Sequence, residues 1–107
     1  MTNSKENKYN IGDIVLALAG RDSERLFLVV GVIDENYVYI ADGKSRKADI
    51  PKKKKIRHIK IARKAGEDYI ESLNLKNGKF TNAVLRKIIS EYTNTDEIKE
   101  IIETKDL

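Results

Sequence analysis

Between Tyr9 and Ile61 the apolar residues come in short runs, each stopped by glycine, aspartate or asparagine, and this punctuation leaves little room for any element but strands. Residues 14–19 end at Gly20-Arg21-Asp22-Ser23-Glu24, residues 26–33 at Asp34-Glu35-Asn36, and residues 37–41 at Asp42-Gly43, a dipeptide favoured in hairpin turns. Runs of this length, rich in β-branched and aromatic side chains, are too short to bury one face of a helix but suit a pleated strand. A weaker strand is predicted over 45–50 and a better one over 56–61, with Pro51 at an edge or connection where its missing N–H costs nothing. Five short strands joined by tight turns predict a small closed or half-closed barrel, because closure removes exposed edges.

After Lys64 the apolar period changes to 3.6. Glu67 and Asp68 fall in the first turn of a predicted helix over 67–76, whose face carries Tyr69, Ile70 and Leu73, and Asn77-Gly78 ends it. A second helix begins after Thr81, a good N-cap, and Val84, Leu85, Ile88, Ile89 and Tyr92 form a stripe suited to packing against the barrel. Phe80 and Leu85 are spaced as a hydrophobic staple, while Val84 occupies the position a capping-box acid would take. A last amphipathic piece, 96–103, carries Ile98, Ile101 and Ile102. The expected fold is therefore mostly β with an α tail: a polar, disordered arm at 1–8, a five-stranded barrel at 9–64, and an extension of two or three short helices at 65–107. No window holds the 18 or so apolar residues of a membrane span and the first residues lack a signal-peptide core, so a cytoplasmic location is expected.

Composition narrows the chemistry. The chain has no cysteine and one histidine, His58, which excludes disulfide frameworks, thiol nucleophiles, iron–sulfur clusters and histidine metal clusters. No catalytic residue, metal or cofactor is expected, and most enzyme classes are disfavoured. The net charge of +4 is modest, but its distribution is not. Residues 44–64 carry 11 basic and 1 acidic side chains, whereas 1–43 and 65–107 are each net −3. One 21-residue stretch thus holds the whole positive excess, the footprint of a polyanion-binding surface.

Lys52-Lys53-Lys54-Lys55 is the centre of that stretch. Four adjacent lysines cannot share a buried face, so they are expected to be solvated or bound to phosphates. Their replacement should then flatten the salt dependence of binding by about four phosphate contacts and leave stability unchanged. Lys44, Arg46 and Lys47 precede the run, and Arg57, Lys60, Arg63 and Lys64 follow it, with His58 among them; on a barrel these would join in one basic patch. A solvated loop is the plainer reading of the lysines alone. Tyr37 and Tyr39 share a strand face. They could stack bases, but the shortage of large apolar side chains favours core or half-buried positions.

Gly12-Asp13-Ile14-Val15, then Ala19-Gly20-Arg21-Asp22, Arg25, Val29-Val30 and residues 33–38 resemble the KOW family. Within it they resemble the archaeal and eukaryotic large-subunit ribosomal proteins fourteen-e and twenty-seven-e, and the likeness is nearest to short bacterial KOW proteins with a lysine-rich segment and a helical tail. It covers residues 9 to about 61. It implies an SH3-like barrel that binds ribosomal RNA and has no enzymatic activity, with Gly12 and Gly20 as structural loop glycines and Arg21 and Arg25 facing the RNA backbone. The chain departs from the pattern at Glu24, where the family usually has a second glycine.

Three functions are weighed. The first is a ribosome-associated RNA-binding module whose contacts are Arg21, Arg25, Lys44, Arg46, Lys47, Lys52–Lys55, Arg57, His58 and Lys60. The second is an adaptor that docks a protein partner through the barrel groove or residues 65–107. The third, weakest reading takes 67–76 and 82–92 as a DNA-binding helix-turn-helix, with Asn82, Arg86 and Lys87 on its outer face.

Overall fold

A computed structural model describes residues 8–21, 23–65 and 80–94. Five strands are present: β1 (Ile14–Ala17), β2 (Leu26–Val32), β3 (Tyr37–Ala41), β4 (Lys52–Lys55) and β5 (Ile59–Arg63). They form one antiparallel sheet in the order β4-β3-β2-β1-β5. A 3₁₀ turn, Ile56–His58, joins the two edge strands, and one α-helix, α1 (Asn82–Thr93), follows.

The sheet is open between β4 and β5, but it cannot be flat. Five strands at about 4.8 Å spacing would place the edges roughly 19 Å apart, whereas the four steps from Lys55 to Ile59 span at most about 14 Å. The sheet therefore curls. Register shifts at Ile14/Val15 and Val29/Gly31 supply local bends of the bulge type. On the concave side Val15, Ala17, Phe27, Val29, Val38, Ile40, Ile59 and Tyr9 make one core. On the other side Ile14, Leu28 and Ala41 pack with Leu85, Ile88 and Tyr92 of α1 in a second. Period-2 alternation thus feeds two cores, which is why all four residues of β1 are buried.

Three expectations from the sequence differ from the structure. Residues 45–50 form no strand. Asp42 instead gathers the loop, accepting hydrogen bonds from the amides of Lys44 and Arg46 (both 2.9 Å) and the hydroxyl of Ser45 (3.0 Å). The fourth strand is the lysine run itself, since ladder hydrogen bonds are made by the backbone and β3 offers a free edge. The predicted fifth strand starts later, at Ile59, because 56–58 make the 3₁₀ turn. One helix of the two or three expected is present among the described residues. The helix over 67–76, the piece 96–103 and the arm 1–8 except Lys8 lie outside them.

Helix α1 starts as its sequence predicts. The Thr81 hydroxyl accepts from the Val84 amide at 3.1 Å, satisfying one of the unpaired N–H groups of the first turn. Its N-terminal half is also bonded to the β3–β4 loop. The side-chain oxygen of Asn82 accepts from the Ala48 amide (2.7 Å), and the Arg86 guanidinium donates to the Gly43 carbonyl (2.8 Å). Gly43 has φ +80°, and a Cβ there would collide with the Asn82 carbonyl, so this close approach requires glycine.

Candidate nucleic-acid interface

The strand register decides where the lysines point. Lys55 pairs with Tyr37, Lys54 with Val38, Lys53 with Tyr39 and Lys52 with Ile40. Val38 and Ile40 are core residues, so Lys53 and Lys55 stand on the outer face beside the two tyrosines while Lys54 turns inward. Lys54 is only 7% exposed, and its ammonium donates to the Ala19 carbonyl at 3.0 Å. It thereby ties the edge strand to the β1–β2 loop across the open side of the sheet. The run is therefore not four equivalent solvated cations.

On the outer face the Lys53 ammonium lies 4.4 Å from the centre of the Tyr37 ring and that of Lys55 lies 5.8 Å away. Tyr37 is half-buried, as the sequence allowed. Tyr39 is 40% exposed rather than core. Its ring crosses Gly31, where a Cβ would come within 3.2 Å of Tyr39 Cδ2. A small residue opposite the ring lets it lie against the β2 backbone.

The other basic residues have varied surroundings. Arg21, Lys47, Arg57 and Lys60 are exposed, and Arg46, Lys52 and His58 are partly covered. Arg25 and Lys44 meet Arg86 around an open cavity of about 370 Å³, with Leu26 and Ile89 in its wall and Glu24 and Asp42 as counter-charges. The helix-turn-helix reading puts Arg86 on the outer face of a recognition helix, yet its guanidinium is bonded to Gly43 and it lines this groove. The i, i+4 spacing of Asn82 and Arg86 was the only sequence hint that both face the same loop.

Arg63 and Lys64, placed in the basic patch by the sequence, have structural partners. Arg63 lies 5.9 Å from the Tyr92 ring, and Lys64 pairs with the fully buried Asp13 carboxylate at 2.9 Å. Asp13 also accepts from the amides of Asn10 (2.8 Å) and Ala65 (2.9 Å), so one carboxylate fastens the entrance of β1 to the exit of β5. Burial, and then the nearby Asp13 charge, raise the pKa of the Tyr9 hydroxyl, which donates to the Ile59 carbonyl at 3.3 Å and stays protonated.

The loop glycines behave as turn residues. Gly12 (φ +101°) and Gly20 (φ +87°) both have left-handed backbones, and Gly20 also lies under the Lys54 ammonium. Glu24 shares that conformation with φ +69°, which explains the physical basis of a glycine preference at this position.

These features define a small β-module with a core on each side of its sheet and, among the described residues, a strip of lysines and tyrosines on the outer face of β3 and β4. No family model matches the chain. It is similar to large ribosomal subunit protein eL14 of Staphylothermus marinus, with 30% identity over 95 residues, 89% of this chain and 91% of that protein. The chain belongs to the eL14-like family of ribosomal proteins, in agreement with the KOW resemblance of its first hairpin.

Proposed function

We propose that the protein is an RNA-binding, non-enzymatic component of the large ribosomal subunit, acting in the cytoplasm without a cofactor. In this reading residues 9–64 are a half-open, SH3-like KOW barrel that holds rRNA by its backbone phosphates, and residues 65–107 are its extension. The similarity to eL14 across nearly the whole chain carries the proposal. The concentration of positive charge in 44–64 and the exposure of Lys44, Lys47, Lys53, Arg57 and Lys60 support it. Arg21 and Arg25 from the first loop, with Arg46, Lys52, Lys55 and His58, complete the contact set. Lys54 serves the set by holding β4 in place.

The adaptor reading has less to stand on, because Leu85, Ile88 and Tyr92 of α1 already face the sheet. The helix-turn-helix reading loses Asn82 and Arg86 to the β3–β4 loop.

The test is co-sedimentation of the full chain with ribosomal particles from its own cells, on sucrose gradients at low and high salt. Migration with the large subunit or its precursors, released as salt rises, is the expected result. A protein that stays at the top of the gradient at both salts would overturn the assignment.

A further inference from the structure

The outer face of β3 and β4 carries a solvent-exposed aromatic ring among its cations, whereas the rings beside Lys8 and Arg63 are buried. Tyr37, Tyr39, Lys53 and Lys55 project from one side of two paired strands, in direct cross-strand register. A lysine-only surface can bind phosphate of any nucleic acid, duplex or single-stranded. An exposed ring on the same strand face as two lysines adds what only an unpaired base can use, a π-face on which to stack. The two tyrosines are not equivalent. Tyr37 is half-buried with Lys53 at 4.4 Å from its ring, while Tyr39, 40% exposed, is the ring presented to solvent. Gly31 beneath Tyr39 allows the ring to rest against the sheet, which limits its freedom before a base arrives.

We propose that this face is a binding platform for a single-stranded RNA segment, in which an unpaired base stacks on Tyr39 while Lys53 and Lys55 hold the flanking phosphates. The platform rests on the RNA-binding reading above and narrows it from phosphate contact to recognition of unpaired RNA. Tyr37 is a positioning residue here: its ring orders the two lysines by cation–π contact.

The experiment uses the full chain and two labelled probes of equal charge, a uridine decamer and an abasic ribose-phosphate decamer, with fluorescence anisotropy over a range of salt. The wild-type protein should bind the uridine decamer about tenfold more tightly than the abasic one, the scale of one stacked base. Tyr39→Ala should abolish that preference and leave the salt slope unchanged, while Tyr39→Phe should retain it. The paired change Lys53→Gln and Lys55→Gln should weaken both probes and reduce the slope by about 1.4, two single-strand phosphates' worth. Circular dichroism of each variant establishes that it is folded. Equal affinity of the wild-type protein for both probes, or an undiminished preference in Tyr39→Ala, would overturn the platform while leaving phosphate-based RNA binding intact. Failure to bind either probe or a structured rRNA fragment would overturn both.

Discussion

Glu24 and Asp42 show how single residues set the shape of the two loops beside the α1 groove. Glu24 holds φ +69° because its amide must reach the Ala17 carbonyl (2.8 Å) to close the first hairpin. A left-handed conformation costs a side-chain-bearing residue about 1 kcal/mol that glycine does not incur. Glu24→Gly is expected to stabilise the fold by up to about 1 kcal/mol in urea denaturation, and to strengthen RNA binding by removing a carboxylate from the loop. Asp42 works through its carboxylate. Burial alone would raise its pKa, but the Arg46 and Lys44 amides, the Ser45 hydroxyl and the Arg25 charge outweigh burial and hold it below 3.8. With the folded value depressed, its contribution is present above about pH 4 and lost as pH falls through the lower folded value. Asp42→Asn should therefore lower the urea midpoint at pH 7, and the gap from wild type should shrink on going to pH 3.

Among the elements, β4 departs furthest from its composition. Four consecutive lysines have low strand propensity, yet the backbone ladder with β3 makes them a strand and assigns each a different environment. The consequence is measurable by single substitutions. Lys54→Ala should cost about 2 kcal/mol, because a buried ammonium-to-carbonyl bond to Ala19 is lost. Lys53→Ala should leave stability within about 0.5 kcal/mol but reduce the salt slope of RNA binding by about one phosphate contact. Thermal denaturation and salt titration of the two variants separate the roles. The expectation from sequence that all four lysines are solvated or bound to phosphates fails at Lys54, since period-2 alternation applies only once the run is known to be a strand.

For the whole molecule, the helix is part of the fold rather than an appendage to it. Leu85, Ile88 and Tyr92 cover Ile14, Leu28 and Ala41, and Asn82 and Arg86 fasten the basic β3–β4 loop. Leu85→Ala should destabilise the entire chain by about 3 kcal/mol, in one transition shared by sheet and helix signals in circular dichroism. Truncation before α1 would expose the second core, so binding experiments belong on the full chain.

Local patterns decided much of this protein. The first three strands follow from β-branched runs with glycine, aspartate and asparagine at their ends, and α1 follows from Thr81 and a 3.6-residue stripe, because turn and cap chemistry acts over a few residues. The concentration of charge in 44–64, and with it the RNA reading, is equally a property of the chain alone. Tertiary structure decided the rest, because the deciding partners lie far away in sequence. Lys54 turns inward to meet Ala19, Lys64 leaves the basic patch for Asp13, Arg86 reaches Gly43, and Tyr39 stays exposed over Gly31. A cation's role depends on which carbonyl, carboxylate or ring the folded backbone brings within about 3 to 6 Å, and residue type and spacing alone do not encode that.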